Sequence, residues 1–223
     1  DYRSSRGLGD VYKRQDESMT YSSAMFKDPE DNLHKGQINK YENLANITGV
    51  KENDKILEIG CGWGGFSSFL AKKYLANVTA ITISKKQYEK AKQKIYDEKL
   101  TDKVDVKLLD YRNISGKYDK IVSIEMFEAV GEKYWSKYFD VLSKNLKSDG
   151  SIGLQTITIE DKFFQKYKRF PDFIQTYIFP GGMLPSVEEM NKVIKSRGLH
   201  IINKRMFGND YAKTIRIWSE SFE

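Results

Sequence analysis

The sequence predicts an α/β fold, an open and mostly parallel sheet with helices on both faces, and three observations carry that expectation. A short apolar run, Ile56-Leu57-Glu58-Ile59, empties into a glycine-dense turn, Gly60-Cys61-Gly62-Trp63-Gly64-Gly65, that opens a helix. A second apolar strand, Val78 to Ile83, follows that helix and completes a βαβ unit. Short strands then alternate with amphipathic helices along most of the remaining chain, which specifies a parallel sheet rather than a sandwich or a bundle.

Residues 1–15 have little periodicity of either kind. They are expected to be disordered and non-native, because Asp10-Val11-Tyr12-Lys13-Arg14-Gln15 reads like translated adaptor sequence. From Glu30 to Ile47 the apolar residues Leu33, Ile38, Tyr41, Leu44 and Ile47 recur at helical spacing, predicting a helix that packs on the sheet edge. Residues 16–50 therefore read as an N-terminal lid and helix, and residues 51–223 as the ligand-binding domain. After the second strand, Ser84 and Gln87 stand in capping-box spacing at the start of the next helix. Val104 to Leu109 reads as a third strand ending at Asp110-Tyr111-Arg112, and Lys120 to Ile124 as a fourth ending at Glu125. A helix from Lys133 to Leu146 leads through the turn Ser148-Asp149-Gly150 to a strand at Ser151 to Ile159. Val187 to Ser196 reads as a helix. Leu199 to Phe207 and Thr214 to Trp218 read as strands joined at Gly208-Asn209-Asp210 in a hairpin-like end, which brings the sheet to seven strands with an antiparallel end strand.

Composition sets the outer limits. With 223 residues and 39% hydrophobic content the chain can bury a full core, and it fits one domain. No apolar run approaches the roughly 20 residues of a membrane span. The single cysteine, Cys61, excludes an internal disulfide, and with only His34 and His200 beside it no metal site is expected. A formal charge of +6 is spread over scattered lysines, so a solvated surface accounts for it and no nucleic-acid partner is expected.

In an open α/β sheet, ligands sit beyond the carboxyl ends of the strands near the point where strand order reverses. That rule gathers the 60–65 turn, Thr82, Asp110, Glu125 and Glu128 at one site. Glycines at 60, 62 and 64 remove the Cβ atoms that would hold a ligand off the backbone, and the following helix turns free N–H groups and positive dipole toward an anionic group. The spacing is Gly-x-Gly-x-Gly rather than the dinucleotide pattern, and the second strand ends in Thr82-Ile83-Ser84 with no acid to hold a ribose, so a dinucleotide is disfavoured. Taken alone, Glu128 reads equally as a cap for the helix near residue 132, and Tyr211 as a packed edge residue.

Several segments, in order, together resemble the cyclopropane fatty acid synthases and related S-adenosylmethionine-dependent methyltransferases: Tyr21-Ser22-Ser23-Ala24-Met25-Phe26, the run 58–66, Ile81-Thr82-Ile83-Ser84 with Gln87, Asp110-Tyr111-Arg112, Ser123-Ile124-Glu125-Met126-Phe127-Glu128-Ala129-Val130-Gly131, Tyr177-Ile178-Phe179-Pro180-Gly181-Gly182 with Leu184-Pro185-Ser186, and Phe207-Gly208-Asn209-Asp210-Tyr211. The likeness runs from about Met19 to the end. It implies a Rossmann-like class I methyltransferase fold, with S-adenosylmethionine over Gly60, Gly62 and Gly64 and Tyr21 and Ser22 closing above it. Thr82 and Gln87 would then lie near the ribose and Asp110 and Tyr111 near the adenine, with Glu58 and Ile124 completing the cofactor site. It further implies methyl(ene) transfer to the double bond of an unsaturated acyl chain in a phospholipid. The catalytic set would be Glu128, Tyr211, Ser23, Gln155 and Ile157 around a bicarbonate ion.

Family members often carry cysteine where Ser23 stands and histidine where Gln155 stands, which puts bicarbonate in question here; Glu125, Ala129 and Val130 also depart from the best-known members. The altered pocket leaves open a cyclopropane, a methyl-branched or a methylene-branched product. The resemblance also implies a cytoplasmic enzyme associated peripherally with the inner, anionic membrane face, and a homodimer. The aromatic-rich segment Phe163, Phe164, Tyr167, Phe170, Phe173, Tyr177 and Phe179, interleaved with Lys162, Lys166, Lys168 and Arg169, is a lipid contact or an ordinary packed helix. Against the family pattern the chain reads as truncated at both ends. The alternatives are a small-molecule N-methyltransferase on the same framework and a catalytically silent cofactor-binding module.

Overall fold

Five parallel strands form the sheet in the order β3-β2-β1-β4-β5, in a computed structural model that describes residues 16–220. In chain order the elements are α1 (Leu33–Thr48), β1 (Lys55–Ile59), α2 (Gly65–Tyr74), β2 (Asn77–Thr82), α3 (Lys85–Asp97), β3 (Val104–Leu108), β4 (Tyr118–Ile124), α4 (Trp135–Asn145), β5 (Leu146–Gln155), α5 (Asp161–Arg169), α6 (Val187–Lys195) and α7 (Gly208–Glu220). The expectation for residues 1–15 lies outside the described residues. No helix among the described residues is long and apolar enough to cross a membrane.

Strand alternation divides the core in two. Ile56 of β1, Val78 and Ala80 of β2 and Val122 of β4 face one side, where Tyr41 and Leu44 of α1, Phe66 and Leu70 of α2, and Ala91 and Ile95 of α3 cover them. Leu57, Ile59, Ile81 and Ile121 face the other, beneath Trp135, Tyr138, Phe139 and Leu142 of α4, Phe164 of α5 and Ile194 of α6. Order reverses between β1, which pairs with β2 on one side, and β4 on the other, so the crevice opens at the carboxyl ends of those strands. Helix α1 lies against the edge strand β5, and Gly153 permits the close approach: a Cβ there would overlap the Thr48 hydroxyl and stand 3.0 Å from Leu44 Cδ1.

Three sequence expectations need correction. The sheet has five strands and every pairing is parallel, so the seventh strand and the antiparallel end are absent among the described residues. Leu199–Phe207 takes no regular structure, and Thr214–Trp218 lies inside α7. The β-branched density of 214–218 suggested a strand. Tyr211, Thr214, Ile215 and Trp218 are spaced for a helix, and burial of Thr214 settles the contest in favour of that period. Gly208 opens the helix instead of turning a hairpin. The turn at 148–150 lies within β5, where pairing jumps from Tyr118↔Leu146 to Lys120↔Ser151 across a bulge, and the strand stops at Gln155; beyond it Ile159 makes only an isolated bridge to Ser186.

Candidate active site

The turn after β1 holds its ligand-facing shape through three left-handed glycines, Gly60 (φ 81°), Gly62 (φ 54°) and Gly64 (φ 83°). A Cβ on Gly62 would press to 3.2 Å from the Tyr21 ring, so this glycine lets the lid residue pack directly on the turn, while a Cβ on Gly60 would meet Met126 and one on Gly64 would meet Ala91, so those two glycines serve packing within the protein. Gln87 at the start of α3 joins the end of β2 to the lid: its Oε1 accepts from the Thr82 hydroxyl at 2.8 Å, and its Nε2 donates to the Tyr21 hydroxyl at 3.0 Å. Ser84 caps α3 by accepting from the Gln87 N–H at 3.4 Å. The reciprocal half of the expected capping box is missing, because the Ser84 N–H donates to the Thr82 hydroxyl and leaves the Gln87 side chain free to reach the lid.

Glu58 is buried below the turn, and Ser67 of α2 donates to its carboxylate. Burial pushes that carboxyl up to about 7, opposed by the Ser67 hydrogen bonds. Its visible work is to brace the turn against α2. Asp110 accepts from the Arg112 backbone N–H at 2.9 Å and pairs with the Arg112 guanidinium at 2.6 Å, which holds its carboxyl below the usual range. Tyr111 packs edge-on against Tyr138 with centroids 5.3 Å apart. Ile124 closes β4 and packs on the α1–α3 side of the core.

The lid, residues 20–26, is fastened residue by residue to other elements. Thr20 hydrogen-bonds Tyr41. Ser22 accepts from Lys40 Nζ at 2.6 Å on its hydroxyl and from Gln37 Nε2 at 2.9 Å on its carbonyl, which fixes it to α1. The Ser23 N–H donates to Glu125 Oε1 at 2.9 Å, the Ala24 N–H to the Thr214 hydroxyl at 3.1 Å, and the Phe26 N–H to Asp210 Oδ1 at 3.3 Å. Tyr211 thus stands between two lid anchors on α7. Sequence reasoning missed Lys40, Gln37, Asp210 and Thr214. The one signal for Lys40, Gln37 and Thr214 was a polar residue at a buried position of α1 or α7.

At the ends of β4 and β5 the carboxylates gather. Glu125 Oε1 accepts from the Ser23 N–H and from Gln155 Nε2, both at 2.9 Å. Glu128 rides on the 3₁₀ turn Phe127–Ala129, which Phe127 pins by packing against Trp135, Tyr138 and Phe139 at 5.5, 5.1 and 5.3 Å. The Ile157 N–H donates to Glu128 Oε1, while Oε2 is buried with no partner. Burial raises this carboxyl to about 7, and the Glu125 charge adds to the shift. Burial, with both carboxylates contributing, also raises the Tyr211 phenol, so its hydroxyl keeps a proton to donate. Lys40, buried completely, is lowered to about 7 by burial against the pull of Glu125 and Asp16. Ser23, Glu125, Gln155, Ile157 and Tyr211 line one cavity of about 600 Å³, whose far end runs between β5 and residues 198–208. The glycine turn after β1 and the carboxylates after β4 therefore lie at the same carboxyl edge of one sheet.

Comparison with known proteins shows the family and the fold. The family described as mycolic acid cyclopropane synthetase matches residues 9–223. The chain is 36% identical over 211 residues to a probable fatty acid methyltransferase of Pseudomonas putida, covering 93% of this chain and 54% of that protein. It is 35% identical over 215 residues to a tuberculostearic acid methyltransferase of Mycobacterium tuberculosis (93% and 50%). It is also 35% identical over 216 residues to the cyclopropane-fatty-acyl-phospholipid synthase of Escherichia coli (96% and 53%). The chain thus spans about half the length of these curated relatives. Among solved structures, a mycolic acid cyclopropane synthase complexed with SAH and CTAB superposes with a TM-score of 0.90 at 29% identity, covering 96% of this chain and 79% of that one.

Proposed function

This chain belongs to the mycolic acid cyclopropane synthetase family, and from that premise we propose that it transfers a one-carbon unit from S-adenosylmethionine to the double bond of an unsaturated acyl chain carried by a phospholipid. The product is a cyclopropane, or a methyl- or methylene-branched chain that keeps one double bond. The observation that carries this reading is the shared edge: a glycine turn covered by Tyr21 lies at the end of β1, and Glu125 and Glu128 follow β4, close enough to the Tyr211 phenol of α7 for both charges to act on it. The names of the relatives, which include a fatty acid methyltransferase and an acyl-phospholipid synthase, support the acyl acceptor.

S-adenosylmethionine, when bound, supplies a methyl group on a cationic sulfur, a strong electrophile once water is excluded. The left-handed turn Gly60–Gly64 and the free N–H groups at the amino end of α2 would hold its anionic end. Tyr21, held by Gln87, would cover the bound cofactor and could offer an aromatic ring to its cation. Glu128, with one oxygen fixed by Ile157 and the other unpartnered, holds a polar group of the reacting centre, and the protonated Tyr211 hydroxyl donates beside it. For acceptor entry the reading draws on Phe163, Phe170, Phe173, Tyr177 and Phe179, all exposed among Lys162, Lys166, Lys168 and Arg169, which suits peripheral contact with an anionic membrane.

Expression of the protein in cells rich in monounsaturated phospholipid, followed by mass spectrometry of whole lipids, tests the assignment. Acyl chains should gain the mass of one CH₂ unit. Unchanged chains beside a methylated amine would reassign the protein to small-molecule N-methylation, and donor binding without any methylated product would make it a silent binding module.

A further inference from the structure

Three features at the end of β4 are inconsistent with a site built for a free anion. The Ser23 backbone N–H and the Gln155 amide converge on one oxygen, Oε1 of Glu125, at 2.9 Å each. Ser23 and Gln155 are two of the residues that the family resemblance gives to bicarbonate, and here these donors are spent on a carboxylate that belongs to the chain. Glu125 also adopts φ 46°, a left-handed conformation that costs an L-residue roughly 1–2 kcal/mol and costs glycine almost nothing. Strain of this kind persists where the surrounding structure and the function demand that side chain. Finally, Glu125 Oε2 accepts no hydrogen bond among the described residues, and the carboxylate lines the cavity together with Ile157 and Tyr211. A bicarbonate ion would have to displace Glu125 or crowd a second negative charge between Glu125 and Glu128, so the residues present do not fit it.

We propose that the Glu125 carboxylate stands in for a free anion as the base of this site, so that turnover needs no bicarbonate. The proposal rests on the acyl-methylation reading above. Once an alkene carbon has accepted a methyl group, its neighbour carries a positive charge. A C–H bond of the new methyl then breaks, and its proton passes to Glu125 Oε2. The released electron pair closes the three-membered ring on the cationic carbon. If a hydride has first moved from the methylated carbon to its neighbour, the methylated carbon carries the charge and the pair forms a double bond to the new carbon, leaving a methylene branch. Either way the cation is discharged, Glu125 ends the step protonated, and its proton returns to water when product leaves.

The test compares the wild-type protein with Glu125→Gly and Glu125→Gln. Glycine relieves the left-handed strain, so that variant should melt at or above the wild-type temperature. In a magnetic-resonance titration with isotope-labelled bicarbonate and S-adenosylhomocysteine present, wild type and Glu125→Gln should show no saturable broadening. Glu125→Gly should show it, because Ser23 and Gln155 are then free to donate. In buffer freed of carbon dioxide, wild type should keep its full methyl-transfer rate and both variants should lose about a hundredfold or more. Added bicarbonate should restore Glu125→Gly and leave Glu125→Gln inactive. Saturable bicarbonate binding by the wild type, or a wild-type rate that collapses in bicarbonate-free buffer, overturns the proposal. If the wild type binds donor but methylates no acyl chain, the functional reading fails instead, and the bicarbonate titration still decides whether Glu125 fills the anion site.

Discussion

The two sides of the crevice place their backbone strain and their charge differently. On the β1–β2 side the left-handed positions fall on Gly60, Gly62 and Gly64, and the side chains Thr82, Gln87 and Tyr21 satisfy one another through neutral hydrogen bonds. On the β4–β5 side a left-handed position falls on Glu125, and Glu128 keeps a buried oxygen without a partner. The first side carries its left-handed turns on glycine, and its one uncompensated buried polar atom in the turn is the Trp63 indole nitrogen; the proposed function assigns it to binding. The second retains strained backbone and uncompensated polarity, the features that mark where chemistry is done.

Substitutions on each side should separate along that line. The largest effect is expected from Gly62→Val, whose side chain would meet the Tyr21 ring and force a β-branched residue to φ 54°. Calorimetry should detect no binding of S-adenosylhomocysteine, and binding within tenfold of wild type would break the comparison, since about 1.4 kcal/mol is all that tenfold allows. Glu128→Gln should bind donor normally while turnover falls roughly a hundredfold or more, and an unchanged rate would remove Glu128 from the chemistry. Thr214→Val deletes the acceptor for the buried Ala24 N–H beside Tyr211, at a cost of about 1–3 kcal/mol. It should lower kcat about tenfold with little change in donor affinity, a loss that Thr214→Ser restores. The smallest effect is expected from Gln87→Ala, which unlatches Tyr21 and should weaken donor binding several-fold, about 1 kcal/mol, while leaving kcat nearly unchanged.

A pH experiment sharpens the contrast from the side of stability. Burial raises the carboxyls of Glu58 and Glu128 from 4.5 to about 7, so the folded protein holds protons that the unfolded chain would release. Their contribution is full below 4.5 and is lost as the pH rises through about 7. Glu58→Gln removes one such proton, and its melting temperature should gain steadily on that of the wild type between pH 4.5 and 7. A constant difference across that window would show that burial does not control Glu58.

What the sequence revealed and what it hid follow from the range of the interactions. The glycine turn, the βαβ unit and the starts of α3 and α6 depend on neighbours a few residues away, and those elements lie within a few residues of where periodicity and capping residues put them. The lid does not work that way. Ser22 is held by Lys40 and Gln37, Ser23 by Glu125, and Ala24 by Thr214, the last a bond between residues 190 positions apart. No local pattern announces such partners. Segment 199–207 shows the opposite failure: its apolar residues promised a strand, yet a strand exists only where a neighbouring backbone pairs with it, and β5 and residues 199–207 stand on opposite sides of the cavity instead.

A crystal structure of this protein with S-adenosylhomocysteine tests the division most directly. The account predicts the nucleoside beneath Tyr21 against Gly60–Gly64, its sulfur directed toward Glu128, and Glu125 still bonded to Ser23 and Gln155. A ligand seated elsewhere on the sheet, or Glu125 swung out with an anion between Ser23 and Gln155, would contradict it.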